Sequence, residues 1–529
     1  MNYTDFDKTS SYKKLAALAA NFRGKEIFAK LDEARVRSRN VPFGAGLTYN
    51  YAAKKVDDAA LAALRELAAE QDLIGKYKLL LDGEVMNTGE NRKVLHHLLR
   101  GQLGKDVLCE GKNLGTFYKN ELERFSTFAA DVHAGKITGS TGKKFTTAVQ
   151  IGIGGSDLGP RALYLALEQW ARKEGTAKLA ARFISNVDPD DAAAVLGGGD
   201  LASTLFILVS KSGTTQETLA NELFVKDKLS KAGLNPAKHL LAVTSETSPL
   251  ARNSGYLDSF YIDDFIGGRY SATSGVGGVI LSLAFGADVF KEILKGAHES
   301  DRAALEPDIL KNAALLDALI GVWERNFLNY PYTAVLPYSQ ALSRFPAHLQ
   351  QLDMESNGKS VNRSGGRLNY ATGPVVFGEP GTNGQHSFYQ LLHQGTDIVP
   401  LQFIGFAESQ LGEDVDVEGS VSQTKLKANL AAQIIAFAKG KASDNPNKNF
   451  EGGRPSSLIY GKRLTPAALG ALLAHFENKV MFQGFVWNLN SFDQEGVQLG
   501  KILTKQVLAA KGSSSGDSAL DEYSKLLEV

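Results

Sequence analysis

The sequence predicts an α/β protein built on doubly wound parallel sheets in two successive halves. From Phe145 onward, short apolar runs alternate with helical stretches, which is the pattern of strands that are buried on both faces of a parallel sheet. Polar or glycine-rich turns follow several of these runs, at the positions where ligands bind in such sheets. The length of 529 residues is sufficient for about two to four domains with substantial cores.

The composition is that of an ordinary globular protein. Lys+Arg and Asp+Glu both total 58, so no net charge draws the chain to nucleic acid or to a membrane surface. Cys109 is the only cysteine, which excludes an intrachain disulfide and favours a reducing cytoplasm. The first residues show no signal-peptide pattern, and no window reaches the ~18 apolar residues of a membrane span. We therefore expect a soluble, cytoplasmic protein.

The N-terminal region, residues 1–115, is predicted to be helical. Ala-rich stretches between residues 10 and 80 have helical periodicity and lack runs of β-branched residues. Residues 93–100 are predicted to form a further capped helix after a polar turn. His96 and His97 are neighbours there, so they point about 100° apart and cannot serve one metal ion together. Packing or surface roles are expected for both.

The first α/β half is assigned to residues 116–290. Its candidate strands are residues 146–153, 181–187, 204–209, 240–244 and 260–263. Helices are predicted between them, including residues 160–170 and 217–232. Since consecutive strands of this kind are joined through helices, a parallel sheet with helices on both faces is expected.

The second half is assigned to residues 291–511, and a C-terminal tail to residues 512–529. Its candidate strands are residues 332–336, 375–377, 398–403 and 480–487. Residues 440–466 are predicted to be a long turn-rich loop, which in a compact domain is usually functional or an intersubunit arm. A flexible joint at residues 512–517 is expected before a short terminal helix.

The turn after the predicted strand 204–209 is the strongest candidate for an anion site. Its hydroxyl residues are Ser210, Ser212, Thr214 and Thr215. A helix follows at once, and the free N–H groups and the dipole of a helix N-terminus favour negative charge. Thr214 with Glu217 could instead be a simple capping box that binds nothing. Because no P-loop sequence is present, a sugar phosphate or similar monoester fits better than a nucleotide.

Two other glycine-rich segments are candidate ligand sites. Residues 151–160 resemble a dinucleotide fingerprint only loosely, since the expected acidic residue ~20 positions on is missing. Close approach to a small ligand, with Ser156 as a donor, is compatible with this segment, and a plain tight turn is the alternative. Arg269 follows Gly267 and Gly268, which would fix its guanidinium where it suits anionic oxygens. A solvated surface position is the alternative for Arg269.

Three further clusters contain possible acid–base groups. They are Asp353, Glu355 and Lys359 beside an Asn357-Gly358 turn, His386 in the first turn of a helix, and Lys501 on the last long helix. Each has a structural alternative: a solvated turn carboxylate, a histidine at the edge of the core, and a surface lysine. Together they supply a base, a proton carrier and cations beside an anion-binding turn. That inventory fits proton abstraction next to a carbonyl.

The motifs of the chain resemble those of the phosphoglucose isomerase (glucose-6-phosphate isomerase) family, of the type with two sugar isomerase domains. The matching segments occur in the family's order along nearly the whole chain: residues 151–160, 210–218, 267–271, 354–359, 378–396 and 491–501. The chain departs from the usual family pattern at Gly213, where phenylalanine is commoner, and at Gly89, where threonine is usual. Ala272-Thr273 is smaller than the usual pair.

This resemblance implies two flavodoxin-like sugar isomerase domains, a helical N-terminal region and a C-terminal tail. It implies an aldose–ketose isomerase that interconverts D-glucose 6-phosphate and D-fructose 6-phosphate in glycolysis and gluconeogenesis. The implied route is ring opening followed by proton transfer through a cis-enediolate. It also implies a homodimer in which each active site takes a histidine from the partner, and no metal or other cofactor.

Residue by residue, the resemblance implies one set of residues that binds the phosphate and another set that binds the sugar. The phosphate would be held by Ser210, Lys211, Ser212 and Thr215. The sugar would be contacted by Gly155, Ser156, Gln351 and Gln494.

The resemblance also implies a role for each of four catalytic residues. His386, assisted by Lys501, would open the ring. Glu355 would carry a proton between C2 and C1, and Arg269 would stabilise the negative charge that develops. Histidine suits a group that gives and takes a proton near neutral pH, and a carboxylate partly shielded from water suits the base.

Two other functions remain compatible with the sequence. One is a sugar-phosphate sensor, because sugar isomerase domains also occur in regulators that bind without turnover. A sensor would not need Glu355, His386 and Lys501 together. The other is an isomerase that prefers another hexose phosphate or an amino-sugar phosphate. The chain has no amidotransferase domain with an N-terminal cysteine, which disfavours a glucosamine-phosphate synthase.

Overall fold

The computed structural model describes residues 3–22, 24–253, 255–510 and 514–529. The first part of the chain is mainly helical. Its helices are α1 (Ser10–Ala20), α2 (Gly24–Ala29), α3 (Glu33–Ser38), α4 (Asp58–Glu70), α5 (Leu73–Leu81) and α6 (Leu114–Ala134). Its strands are β1 (Asn40–Gly44), β2 (Leu47–Asn50), β3 (Val85–Asn87), β4 (Arg92–Lys93), β5 (Leu108–Cys109) and β6 (Lys112–Asn113).

The β1–β2 hairpin shows that the helical prediction for residues 10–80 is wrong in part. Val41 and Phe43 of β1 are buried, as are Leu47 and Tyr49 of β2, so each strand buries every second residue. This period of two is the strand signal. It was obscured because Ala-rich helices precede and follow the hairpin.

The predicted helix at residues 93–100 is also wrong. The chain there forms β4 and then a series of turns, and Leu95 N–H donates to the carbonyl oxygen of Phe265 at 3.1 Å. His96 and His97 are both buried, which confirms a packing role for them.

The first half contains a five-stranded parallel sheet. Its elements are β7 (Thr147–Ile151), α7 (Leu158–Lys173), β8 (Ala180–Ile184), α8 (Pro189–Gly197), β9 (Thr204–Val209), α9 (Gln216–Lys231), β10 (Leu240–Thr244), β11 (Ser259–Tyr261), α10 (Gly275–Phe285) and α11 (Ala287–Ala303). The strand order is β11-β10-β9-β7-β8. Counted along the chain this is the flavodoxin order, whose ligand crevice lies between the first and third strands. The α/β prediction for this half is confirmed.

The second half builds a six-stranded sheet. Its elements are α12 (Ala313–Asn326), β12 (Tyr332–Pro337), α13 (Phe345–Gln350), β13 (Val375–Phe377), α14 (Gly381–Gln385), α15 (Tyr389–Gln394), β14 (Leu401–Phe406), β15 (Asp416–Val417), β16 (Ser420–Val421), α16 (Ser422–Lys439), β17 (Ser456–Gly461) and α17 (Pro466–Val486). The order is β1-β2-β17-β14-β12-β13. The strands β17, β14, β12 and β13 are parallel and repeat the flavodoxin order, and β2 joins β17 antiparallel. The N-terminal hairpin thus completes the second sheet.

Two predictions for the second half are wrong, one of a strand and one of a loop. Residues 480–487 are not a strand but the end of α17, whose residues are buried on all sides. A helix that is apolar around its whole circumference cannot be recognised by periodicity. The missing strand is β17, which lies inside the predicted loop 440–466 and pairs with β14 and β2. Its glycine- and proline-rich flanks hid it.

The C-terminal part of the chain has two helices. They are α18 (Gln498–Ala510) and α19 (Ser518–Leu526), and neither contains a buried residue. The predicted joint at 512–517 lies partly outside the described residues. By contrast, one contiguous apolar core includes Ala148 and Leu205 of the first sheet and Val335 and Ile404 of the second. The two sheets are therefore held together through shared packing.

Candidate active site

The segment after β7 approaches the chain around Arg269 closely. Gly155 and Ser156 lie in a 3-10 turn, Gly154–Ser156, just before α7. A Cβ atom on Gly155 would lie 2.1 Å from the carbonyl carbon of Gly268, so only glycine lets the two backbones touch. This contact brings the carboxyl end of β7 beside Arg269.

The turn after β9 is preorganised by its own hydroxyl groups. Ser210 Oγ donates to Thr215 Oγ1 at 3.2 Å and accepts from the N–H of Gly213 at 3.1 Å. Ser212 Oγ accepts from the N–H and the hydroxyl of Thr214, at 3.2 and 3.0 Å. Hydroxyl and N–H groups are thus collected at the strand end where the flavodoxin order places its ligand crevice.

The capping alternative for this turn is wrong. Helix α9 begins at Gln216, with Thr215 at its N-cap, and the Thr215 side chain makes no capping bond to any described backbone N–H. The helix therefore begins one residue too late for a capping box at Thr214. Gly213 has φ +67°, and a Cβ there would lie 2.2 Å from Ser248 Oγ, so this turn requires glycine. The first N–H groups of a 16-residue helix remain available for an anion.

The side chain of Lys211 leaves this turn and reaches the loop before Arg269. Its Nζ donates to the carbonyl oxygen of Ile266 at 3.1 Å. Burial lowers the pKa of Lys211, and the nearby Asp264 carboxylate opposes that shift. The ammonium group of Lys211 therefore holds the neighbouring loop and does not point into the turn's cluster of hydroxyl groups.

Glu355 lies at the end of a π-helical turn in the second half. Helix α13 passes directly into this turn, Gln351–Glu355. Such turns are rare and frequently occur at functional sites. The Glu355 side chain is 23% exposed, and its Oε1 lies 3.1 Å from Nη1 of Arg269. The carboxylate is thus partly shielded from water and faces a cation from the first half.

The guanidinium of Arg269 joins three parts of the chain. Its Nε donates to Ser356 Oγ at 2.7 Å, and its Nη2 donates to the carbonyl oxygens of Ser491 and Asp493 at 2.5 and 2.9 Å. The side chain is 1% exposed, so the solvated position considered for Arg269 is wrong. Arg269 binds the turn that bears Glu355 to the segment that precedes α18.

A neutral layer lies behind Arg269. The Tyr270 hydroxyl bonds to Ser356 Oγ at 2.9 Å, and the His96 ring stacks on Tyr270 at 4.6 Å between centroids. Burial lowers the pKa of His96 well below its usual range, with the Arg100 guanidinium adding to the shift. The imidazole is therefore uncharged near neutral pH and does not compete with Arg269 for Glu355.

Gln351 reaches from the second half to the end of β7. Its Nε2 lies 3.3 Å from the position that a Cβ on Gly154 would occupy. Its Oε1 is buried and has no hydrogen-bond partner among the described residues. An unsatisfied buried amide oxygen beside a cleft can accept a hydrogen bond from a ligand hydroxyl.

Only part of the charged cluster predicted at residues 353–359 faces this site. The Asp353 side chain is buried within the second half, and this burial raises its pKa to about 6. Lys359 pairs with Asp493 instead, donating from Nζ to its carboxylate and, at 3.1 Å, to its carbonyl oxygen. Of the three predicted side chains, Glu355 alone pairs with Arg269.

Three predicted site residues lie on the surface of the single chain. His386 caps the end of α14, rather than lying in the first turn of a helix, and is exposed. Gln494 and Lys501 are exposed as well, and Lys501 lies on α18. Within the described residues, none of these side chains makes a hydrogen bond or an ion pair. The chain by itself does not join them to Glu355.

Sequence reasoning missed the parts played by Ser356 and Asp493. Both hold Arg269, one through its hydroxyl and the other through its backbone carbonyl. Each adjoins a predicted residue, Glu355 or Gln494, and this adjacency was the only signal available. A backbone carbonyl acceptor has no signature in residue type.

The described residues form neither a cluster of metal-ligand side chains nor a membrane-spanning helix. In the described ranges, no group of three or more His, Cys, Asp or Glu side chains could hold a metal ion. None of the described helices is long and apolar enough to cross a membrane.

Both the sequence and the fold of the chain match those of known proteins. A family model described as phosphoglucose isomerase matches residues 50–526. A glucose-6-phosphate isomerase of Treponema denticola is 62% identical over 532 residues, which covers 100% of both chains. One from Borreliella burgdorferi is 50% identical over 99% of both chains.

A solved structure is similar over the same extent. The crystal structure of a glucose-6-phosphate isomerase from Chlamydia trachomatis has a TM-score of 0.92, with 44% sequence identity over 99% of both chains. The fold and the sequence thus agree over essentially the whole chain.

Proposed function

The chain belongs to the phosphoglucose isomerase family, and from that premise we propose that it interconverts D-glucose 6-phosphate and D-fructose 6-phosphate. It is an aldose–ketose isomerase of glycolysis and gluconeogenesis. The reaction moves one hydrogen from C2 to C1 and one from the C2 hydroxyl to the C1 oxygen. It is redox-neutral overall, so it needs no external oxidant or reductant.

The observation that carries this proposal is the Glu355–Arg269 pair. A carboxylate that is 23% exposed faces a buried guanidinium at 3.1 Å, between the two halves of the molecule. A base that removes a proton next to a carbonyl creates an enediolate, and a fixed cation beside it stabilises that charge without reorganisation. A sensor that only binds a sugar phosphate has no use for this pair.

The turn after β9 binds the substrate phosphate in this proposal. The hydroxyls of Ser210, Ser212 and Thr215 and the backbone N–H of Lys211 are the donors, together with the N-terminus of α9. The absence of a capping bond from Thr215 to the described backbone supports this assignment, because its hydroxyl, although it accepts from Ser210 Oγ, can still donate its own hydrogen to a ligand. A dianion held there anchors the open chain at a point remote from C1 and C2.

The sugar lies between the two halves. Gly155 and Ser156 approach it with backbone and hydroxyl groups, and Gln351 and Gln494 bond to its hydroxyls. The unpartnered Oε1 of Gln351 supports this placement. Glu355 takes the proton from C2 and returns it at C1, while Arg269 stabilises the cis-enediolate.

Ring opening precedes this step. His386, assisted by Lys501, passes a proton from the C1 hydroxyl to the ring oxygen as the C1–O5 bond breaks. Both side chains are exposed and unpaired within the described chain, which leaves them free to contact a substrate or a second subunit.

The active enzyme is a homodimer in this proposal, and His386 acts in the site of the partner. Exposed apolar side chains on α18 support a second copy as the partner: Leu499 is 66% exposed and Ile502 54%. Because α18 also bears Lys501, its docking onto a partner would fix that lysine. We place the enzyme in the cytoplasm because it has a single cysteine and a central metabolic substrate.

The domain division proposed with this function is residues 1–115, 116–290, 291–511 and 512–529. The five-stranded parallel sheet and the four parallel strands of the six-stranded sheet support the two central domains. The hairpin β1–β2 crosses the first boundary in space, since it pairs with β17 of the second sheet.

The first experiment is a coupled assay for fructose 6-phosphate formed from glucose 6-phosphate by the purified chain. Substrate deuterated at C2 should deliver part of its label to C1 of the product, with the remainder lost to solvent. No turnover, or no label at C1 under any condition, would contradict the proposal. Mannose 6-phosphate and glucosamine 6-phosphate are the control substrates.

The cross-subunit role of His386 has its own test. Co-expression of Glu355→Gln and His386→Ala chains should restore activity to about a quarter of wild type, because half of the dimers are mixed and each has one intact site. Each variant alone should remain nearly inactive. If His386 served its own subunit, no mixed site would be intact and co-expression would restore nothing.

A further inference from the structure

Lys359 has no role in the function proposed above, although it lies four residues beyond Glu355. It follows the helical turn that bears Glu355, and its own backbone N–H donates to the carbonyl oxygen of Asn357 at 2.8 Å. Its side chain is 18% exposed and that of its partner Asp493 is 19% exposed. A largely buried ion pair of this kind is fixed in geometry, unlike an exposed pair.

The carbonyl oxygen of Asp493 receives two cationic donors. Lys359 Nζ donates to it at 3.1 Å and Arg269 Nη2 at 2.9 Å. The Asp493 carboxylate accepts from Lys359 through one oxygen and from Asn490 Nδ2, at 2.7 Å, through the other. One residue is therefore held by bonds to its backbone and to both of its carboxylate oxygens.

The position of Asp493 in the chain gives these bonds their significance. Gln494 follows it directly, and the short 3-10 turn Glu495–Val497 then leads into α18, which bears Lys501. None of the residues of α18 is buried. Among the described residues, Asp493 is therefore the last firm attachment of the segment that bears Gln494 and Lys501 to the body of the molecule.

The charges that act on Lys359 link it to the Glu355–Arg269 pair. The Lys359 ammonium group bonds to Asp493, and the charges of Asp493, Arg269 and Glu355 all act on it. Burial lowers the pKa of Lys359, and the bond to the Asp493 carboxylate opposes this. Lys359 is therefore part of the same electrostatic cluster as the Glu355–Arg269 pair.

We propose that Lys359, paired with Asp493, is a positioning residue that holds the segment bearing Gln494 and Lys501 against the turn bearing Glu355. It thereby keeps the groups for ring opening and for proton transfer in register on one substrate. This inference rests on the proposed isomerase function and deepens it. Lys359 acts through its neighbours, and the phosphate turn is independent of it.

The main test compares Lys359→Met with Lys359→Arg in the full-length enzyme. Met removes the charge and both bonds to Asp493, whereas Arg retains donors of similar reach. We expect kcat for glucose 6-phosphate to fall about 10-fold in the Met variant, as for loss of one charge-assisted bond. KM should change less than about 3-fold, because the phosphate contacts are untouched, and the Arg variant should recover most of kcat.

The split between kcat and KM separates positioning from general damage. A less stable fold would lower the yield of active enzyme, whereas loss of positioning lowers kcat of the folded Met variant and spares it in the Arg variant. An unchanged kcat in the Met variant would overturn the inference, as would an effect confined to KM.

A double-mutant cycle with Asp493→Asn tests the pairing itself. If the two residues act through each other, the double variant should lose no more kcat than the worse single variant. Additive losses would overturn the inference. The matched control is the exposed pair Lys143–Asp200, at 3.1 Å, whose cycle should leave kcat unchanged. Should Lys359→Met fail to fold, Asp493→Asn and Lys359→Arg provide the same comparison.

The outcomes distinguish this inference from the function on which it rests. A wild-type chain without isomerase activity would contradict the proposed function. An active wild type with equally active Lys359→Met and Asp493→Asn variants would contradict only the positioning role.

Discussion

The site has two parts that the chain builds differently. The part around Arg269 is interior: its side chain is 1% exposed, it donates to two other segments, at Ser356 and at Ser491 and Asp493, and it faces Glu355 at 3.1 Å. The part made of His386, Gln494 and Lys501 is exposed and makes no side-chain hydrogen bonds within the described residues. One folded chain is sufficient to pair Glu355 with Arg269, whereas the groups proposed for ring opening have no side-chain partners among its described residues.

This difference has a physical reason. The base must be partly desolvated and fixed, which the π turn and the buried guanidinium achieve within one core. A group that exchanges protons with a sugar ring must reach a bulky substrate that enters from outside. In the proposed dimer, a position on the surface that a second subunit completes would allow both entry and closure.

The largest expected effect on activity comes from a substitution in the interior part of the site. Glu355→Gln retains the shape of the side chain and a bond to Arg269 but cannot accept a proton. We expect kcat to fall by at least ~10²-fold, the lower bound for a positioned general base, with KM nearly unchanged. Steady-state assays in both directions check this.

A matched control is available on the surface. Glu33→Gln breaks another Glu–Arg pair, Glu33–Arg37, whose side chains are 75% and 79% exposed. It should leave turnover unchanged. Normal turnover in Glu355→Gln would show that the base lies elsewhere.

The second effect isolates the exposed part. His386→Ala should reduce kcat on cyclic glucose 6-phosphate by about 10²-fold, since a proton carrier is lost. It should remain active on an analogue methylated at O4 and O5, which closes to neither the pyranose nor the furanose and needs no ring opening. Parallel assays on the two substrates measure the difference, and equal losses on both would contradict the division of the site.

The third effect concerns the anion turn, which serves both parts. Ser212→Ala and Thr215→Ala should each raise KM about 10-fold, because a hydrogen bond to a charged group contributes about 1.5 kcal/mol. The effect on kcat should be small. Thr247→Ala, in a neighbouring exposed turn, is the control. An unchanged KM in both site variants would place the phosphate elsewhere.

The smallest effect is on stability and concerns only the interior part. Burial lowers the pKa of His348, which lies in α13 just before the π turn, to about 4, and that of His97 to about 3. The unfolded chain takes up protons on these histidines near pH 6.5 and the folded chain does not. Stability is therefore full above about pH 6.5 and falls as pH decreases towards 4, by about 1.4 kcal/mol per pH unit for each histidine.

Thermal unfolding at a series of pH values measures this slope. His348→Leu should make it shallower, because the variant lacks one of the histidines that take up a proton only in the unfolded chain. A slope that is identical in wild type and variant would contradict the role given to His348.

The sequence identified both α/β halves because their strands are apolar runs between turn signals, as at β9 and β10. It misassigned α17 and β17 because burial on every side removes periodicity from a helix, and because glycine-rich flanks resemble a loop. It missed the β1–β2 hairpin because the strand that pairs with it, β17, follows some 400 residues later in the chain.

By itself the sequence determined the chemical inventory of the site. The hydroxyls after β9, the glycines before Arg269 and the carboxylate at Glu355 are properties of residue type and order, and these are local. Only the tertiary structure decided which groups meet. The bonds from Arg269 and Lys359 to one carbonyl of Asp493 join segments more than 130 residues apart. Backbone acceptors are the same in every residue, so no sequence pattern could have selected that one.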